Sequence, residues 1–239
     1  MSDIALRFAQ VVKRFAGVPA LSGFSLEVRR GEFFALVGVN GAGKTTLLKC
    51  LLDFCDTDGG QIEIFGVPHA TTAARTRIAY LPERFNPPFY LTGRDFLRYM
   101  LGLYCADFDE SEVARVFGAL DLAPTALDRP ARAYSKGMTQ KLGLAACLLS
   151  GKDLYVLDEP TGGLDPKARA LLKRELIALR RSGRTLFFTS HTLADVADLC
   201  DRLAVVHAGR LRFAGTPGEL IGRTGTSSLE QAFLASIAD

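Results

Sequence analysis

Several features that would assign this 239-residue sequence quickly are missing from it. Its five cysteines, Cys50, Cys55, Cys105, Cys147 and Cys200, form no CxxC pair and follow no regular spacing. The usual patterns of zinc and dithiol sites are therefore absent. Most of these cysteines sit in apolar, helix-like runs, where a free thiol behaves as a small hydrophobe. Reduced thiols and a cytoplasmic setting are expected. Charge of one sign is also lacking: 29 basic against 26 acidic residues leave a net charge of +3. That is too weak and too scattered to argue for nucleic acid, and no nucleic-acid partner is expected. The longest strongly apolar run, "LGLAACLL", falls short of the ~20 residues that span a bilayer. The opening "MSDIALRFAQ" has no basic region followed by an apolar core, so neither a membrane span nor a secretory signal is expected. No internal repeat, low-complexity tract, linker or sustained heptad is visible.

What is present is alternation. The runs "IALRFAQVVKRF", "ALSGFSLEV" and "GEFFALVGV" read as a small antiparallel sheet leading into a buried strand. "GQIEIFGVPH" reads as a further strand pair after the turn at Gly59 and Gly60. From about Asn86 to Ser150 the pattern is mostly helical. "LTGRDFLRYMLGLY" opens at Thr92 with Asp95 three residues on, a capping-box-like start. Phe96, Tyr99, Met100 and Leu103 then recur at helical spacing, as do Val113, Val116, Phe117 and Leu120 in the next segment, and both stripes are expected in the core. The last third alternates strand "DLYVLDE", helix "PKARALLKRELIALRRSG", strand "RTLFFTSH" and helix "TLADVADLC", then a hairpin and a terminal helix. Short apolar runs between amphipathic helices imply a parallel sheet with helices on both faces.

"GVNGAGKTT" satisfies the phosphate-binding pattern G-x-x-x-x-G-K-[ST] with Gly38, Gly43, Lys44 and Thr45. A glycine-rich turn without a ligand is the plain alternative. The apolar strand "FFALV" entering the loop and the helix "KTTLLKCLL" leaving it favour the phosphate site. Glycines let the backbone curl so that its N–H groups point at an anion, and the new helix adds its positive end. Asn40, Gly41, Ala42 and Thr46 complete the expected nucleotide-binding segment. Lys44 can neutralise β- and γ-phosphate charge, and the Thr45 hydroxyl can ligate Mg²⁺. "LYVLDEP" then supplies two carboxylates at the carboxyl end of a buried strand, where ligands bind in open parallel sheets. Asp158 is assigned to the metal and Glu159, on the other face, to the base that orients water.

The loop, the carboxylate strand, "YSKGM" and the strand-ending His191 together resemble the ATP-binding subunits of ABC transporters, over essentially the whole chain and in the family's order. The resemblance implies a single domain over 1–239, an α/β P-loop NTPase with a RecA-like parallel-sheet core. An N-terminal antiparallel β subdomain joins the core lobe (1–85 and 151–239), and an α-helical subdomain forms a lobe at about 86–150. It also implies ATP and Mg²⁺ as ligands, and a head-to-tail dimer in which each signature meets the γ-phosphate held by the other subunit's loop. The family signature is most often Leu-Ser-Gly-Gly-Gln. In Tyr134-Ser135-Lys136-Gly137-Met138, Ser135 and Gly137 match, while Lys136 and Met138 depart. Ser135 also reads as an ordinary N-cap for the helix that follows.

His191 resembles the family's switch histidine, a γ-phosphate donor. In "TGGLDP", Asp165 matches the loop that touches the partner, and Gly162 replaces a more usual serine. Phe15 sits where the family stacks an aromatic on adenine, with a core phenylalanine as the competing account. Glu83 stands where the family has glutamine near the metal; it can ligate Mg²⁺, pair with Arg84 or turn away. The function implied is a motor subunit at the cytoplasmic face of a membrane, driving transport through separate permease subunits. The signature form and the terminal "SLEQAFLA" resemble ATPases paired with export-type permeases. Phe85, Phe89 and Tyr90, beside two prolines, suit a docking groove for a membrane partner or, alternatively, the lobe's own core. The runner-up is a non-transport ABC ATPase of the DNA-repair or translation-factor type. Those usually carry long coiled-coil insertions or two ATPase modules. A P-loop kinase would leave "YSKGM" and His191 unexplained.

Overall fold

The computed structural model describes residues 3–238; positions 1, 2 and 239 of the range expected to form one domain lie outside it. The chain opens with a long hairpin of β1 (Ile4–Phe15) and β2 (Val18–Arg29). Its two-residue turn, Ala16 and Gly17, has positive φ at both positions (47° and 84°), the mirror-image turn that matches strand twist. After β3 (Phe33–Val37) and α1 (Lys44–Leu51), β4 (Gly59–Ile64) returns to pair with β1, and the short β5 (Val67–Pro68) pairs with β4. This four-stranded antiparallel sheet, β2-β1-β4-β5, is the one expected from the N-terminal pattern.

Two elements were not anticipated: α2 (Thr72–Arg75) and the strand β6 (Ile78–Leu81). Helices α3 (Gly93–Leu103), α4 (Glu110–Ala119) and α5 (Lys136–Leu149) follow. Then come β7 (Leu154–Asp158), α6 (Pro166–Arg181), β8 (Thr185–Ser190), α7 (Leu193–Leu199), β9 (Arg202–His207) and β10 (Arg210–Gly215). The chain finishes with two helices rather than one, α8 (Pro217–Thr224) and α9 (Leu229–Ser236). The central sheet runs β10-β9-β3-β8-β7-β6, parallel except at β10. β3 and β7 are buried at every residue, as a strand covered on both faces must be.

Both faces carry helices, as expected, but they are covered differently: one of them is shared with the antiparallel sheet. Phe33, Ala35, Tyr155 and Phe188 turn toward α3–α9 in one apolar cluster. Phe34, Leu36, Val156 and Phe187 turn the other way, onto the antiparallel sheet and α1. Phe187 meets Phe8 and Phe34 with ring centroids 6.1 Å apart in each pair, bridging the two sheets. The pattern of apolar residues shows that a face is buried but not by what.

Within the helical segment, Thr92 caps α3 by accepting from the Asp95 N–H at 3.1 Å. Asp95 does not complete a reciprocal box; its carboxylate accepts from the Thr92 hydroxyl at 2.6 Å. The stripe on α3 is rotated from expectation: Phe96, Leu97 and Leu101 are buried, whereas Tyr99 and Leu103 are 57% and 62% exposed. This helix packs on α5, and Tyr99 and Leu103 face away from the core. The stripe on α4 is buried as expected, with Val113, Val116, Phe117 and Leu120 at 1% exposure or less. Two cysteines that spacing left unpaired are in contact: α1 ends in a tight turn that brings Cys50 Sγ 3.6 Å from Cys55 Sγ. Burial pushes the Cys50 thiol up to about 12.

Candidate functional site

The loop between β3 and α1 closes against the tip of the β1–β2 hairpin. Gly43 has φ 109°, and a Cβ there would lie 2.8 Å from the Ala20 carbonyl, so no other residue fits. Gly43 also stands at the N-cap of α1 with no side-chain cap bond, and α1 has no acidic residue in its first turn. The first amides of this helix are thus left for an anion. Lys44 folds back over the loop, donating to the Gly38 carbonyl at 2.6 Å and the Val39 carbonyl at 3.3 Å. Burial lowers its pKa, opposed by Glu159, Asp158 and Glu83.

One cavity of about 440 Å³ brings together Asn40, Gly41, Ala42, Gly43, Lys44, Thr45 and Thr46 with Glu83, Asp158, Glu159 and His191, while Gly38 stands behind it under Lys44. The convergence follows from strand order. β3, β8, β7 and β6 are spatial neighbours, and the loop, His191, the carboxylates and Glu83 each follow the carboxyl end of one of them. Asp158 is 4% exposed, and burial raises its pKa against the opposing pull of the Thr189 hydrogen bond. Glu159 leaves the strand with φ 50°. Its Oε2 lies 2.7 Å from His191 Nδ1 and accepts from the His191 N–H at 3.3 Å. A carboxylate so held faces the cavity beside a histidine whose side chain is 69% exposed.

Among the described residues, no three His, Cys, Asp or Glu side chains are arranged to hold a metal ion by themselves. Mg²⁺ needs no such cage, since it binds through one or two carboxylates together with phosphate oxygens. The Thr45 hydroxyl and Asp158 carboxylate are hard oxygen donors in the same cavity and fit such an ion. Glu83 is exposed and makes no ion pair with Arg84, which removes one of the three roles considered for it.

Sequence reasoning missed Thr189. Its hydroxyl donates to Asp158 Oδ1 at 2.5 Å and accepts from the Glu159 N–H at 2.9 Å. The only trace in the sequence was a polar pair after the apolar run Leu186–Phe188. Gln140 was also missed: buried on α5, it donates to the Pro160 carbonyl at 3.3 Å, tying that helix to the loop after Glu159.

The remaining candidates lie outside the loop cavity. Phe15 is 50% exposed at the hairpin tip, with Lys13 Nζ 5.3 Å from its ring centre, so the core account fails. Ser135 caps α5 by accepting from the Met138 N–H at 3.2 Å. Asp165 caps α6 in the same way, accepting from the Ala168 N–H at 2.8 Å. The two loops touch within the chain. Gly163, at φ 74°, lies under the Lys136 stem, and a Cβ there would come within 3.3 Å of Lys136 Cε. Beside them a second cavity, of about 740 Å³, shares Glu83, Glu159 and His191 with the first.

Comparison with known proteins agrees with this geometry. The family profile described as ABC transporter matches residues 21–162. An uncharacterized ABC transporter ATP-binding protein of Synechocystis sp. is 40% identical over 211 residues, 86% of this chain and 59% of that protein. The chain thus spans less than two thirds of that relative's length. The Nod factor export ATP-binding protein I of Burkholderia lata is 38% identical over 218 residues, 90% of this chain and 71% of that protein. A solved structure of the ATP-binding subunit of an ABC transporter superimposes with a TM-score of 0.89 at 28% identity, covering 97% of this chain and 99% of the other. The loop, the strand-end carboxylates, the paired histidine and the whole of the fold place this chain in the ABC transporter family of ATP-binding proteins.

Proposed function

We propose that the chain is the ATP-hydrolysing motor subunit of an exporter, acting on separate membrane subunits. The observation that carries this reading is the pairing of Glu159 with His191 at 2.7 Å, in the cavity that also holds Lys44, Thr45 and Asp158. In this reading the uncapped end of α1 and Lys44 take the β- and γ-phosphates of ATP. Thr45 and Asp158 would hold Mg²⁺, which would neutralise charge on those phosphates. Glu159 accepts a proton from the attacking water, and His191 keeps that carboxylate aimed and donates toward the γ-phosphate. Phe15, exposed at the hairpin tip, offers its face to adenine.

The rest of the site comes from a second copy. Ser135 and Gly137 stand outside the loop cavity of their own chain, as a signature serving the partner's nucleotide would. Asp165 lies on the adjoining loop and belongs to the same contact. The aromatic segment considered for the permease has two parts. Phe85 packs on Phe96 with centroids 5.5 Å apart, inside the helical lobe. Phe89 and Tyr90 stay 64% and 68% exposed on a proline-stiffened segment and suit a helix of the membrane partner. Export over import rests on the signature form, the terminal "SLEQAFLA" and the export name of the Burkholderia relative. Glu83, at the root of the helical lobe, is read as a link between lobes rather than a metal ligand.

Mixed subunits test the composite site. A Ser135→Arg chain and a Lys44→Ala chain are each expected to be inactive alone. Mixed, they form one intact site from the first chain's loop and the second's signature, and ATPase activity should return. Activity that never returns on mixing, or a chain that stays monomeric at saturating ATP and Mg²⁺, contradicts the proposal.

A further inference from the structure

Strand β8 is apolar between Leu186 and Phe188 and polar at its ends, and Thr189 near its carboxyl end has no exposed surface. A valine would fill the same space without burying a hydroxyl, so the hydroxyl needs a reason. Its two bonds supply one. The register of β8 with β7 ends at the pair Asp158–Thr189, and the chain then leaves the sheet through the left-handed backbone of Glu159. A peptide N–H at such an exit loses its ladder partner and must find another. Thr189 Oγ1 accepts that N–H at 2.9 Å and donates its own proton to Asp158 Oδ1 at 2.5 Å. Among the described residues, none donates a hydrogen bond to Asp158 Oδ2. One side chain thus holds the last residue of β7 and the residue after it, each through a different half of its hydroxyl.

We propose that Thr189 is a positioning residue for hydrolysis: it fixes the Asp158 carboxylate so that Oδ2 is presented to the metal, and locks the backbone turn that aims Glu159 at the water. This rests on the roles given above to Asp158 and Glu159. Thr189 touches neither nucleotide nor water in this account. Its contribution is to hold two side chains in register, where a displacement of ~1 Å can cost about 10²-fold in rate.

Thr189→Val keeps the shape and removes both bonds. It should lower kcat about 10²-fold with little change in KM for ATP. The Mg²⁺ concentration needed for tight binding of a fluorescent ATP analogue should rise by about tenfold, as for other groups that orient a metal's ligands. Binding of the same analogue in excess chelator should not change, because the loop and Lys44 are untouched. Thr189→Ser keeps the hydroxyl and should rescue both the rate and the Mg²⁺ requirement. If Thr189→Val fails to fold, the comparison moves to Thr189→Ser against Thr189→Ala, where only the serine should preserve the Mg²⁺ requirement. A valine variant with unchanged kcat and Mg²⁺ requirement would overturn the proposal. So would a serine variant as impaired as valine, which would assign the residue to methyl packing. Normal turnover in both Asp158→Asn and Glu159→Gln would remove the underlying roles, and the proposal with them.

Discussion

Helices α1 and α5 both begin at the functional face, and they begin differently. α1 starts at Gly43 with no side-chain cap, and its first turn sits in a cavity with Glu83, Asp158, Glu159 and His191. α5 starts at Ser135, which caps it through the Met138 N–H, on an exposed stretch lying against Gly163. A bare helix end retains unsatisfied N–H groups and waits for an anion to satisfy them; a capped one is complete without a ligand. The difference fits the proposed division of labour. In that reading, one end binds the nucleotide of its own chain, and the other meets a partner's phosphate only while the dimer is closed.

The largest expected effect strikes the enclosed end. Glu159→Gln should slow hydrolysis by about 10²–10⁴-fold, as for a lost general base. ATP binding should persist, so an ATP-dependent dimer should accumulate, visible by sizing with and without nucleotide. Near-normal turnover would break the assignment and with it the contrast between the two helix starts.

A smaller effect is expected at the self-capped end. Ser135→Ala should cost about 1 kcal/mol of stability, read as a fall in Tm of roughly 2–4 °C for a chain of this size. Nucleotide binding by the isolated chain should not change. A fall in that binding would mean that α5 serves the nucleotide of its own chain. The smallest effect is expected at Glu83. Curves of ATPase rate against Mg²⁺ for wild type and Glu83→Gln should superimpose if this residue links lobes, and a displaced curve would put its carboxylate on the metal.

Legibility followed the range of the forces involved. The phosphate loop and the carboxylate pair could be read because each is a contiguous segment whose chemistry is local. The strand β6 could not be: four residues before a proline carry little pattern, and the segment is a strand because β7 pairs with it. Thr189 was hidden for a similar reason. Nothing near it in sequence explains a hydroxyl whose partners are 30 and 31 residues away. The exposed Tyr99 and Leu103 obey helical spacing, but spacing does not say how many neighbours the helix has. Cys50 and Cys55 meet only because Phe54 N–H returns to the Lys49 carbonyl and folds the end of α1 back on itself.

The left-handed backbone at Glu159 bears on how this protein can be engineered. A residue with a Cβ gives up roughly 1–2 kcal/mol in that conformation, whereas glycine and, to a lesser degree, asparagine adopt it readily. A screen that rewards heat tolerance alone should therefore enrich Glu159→Gly and Glu159→Asn. In the proposed reading, the chains it returned would fold better, bind ATP and fail to cleave it. At this position, selection for durability and selection for turnover favour different residues.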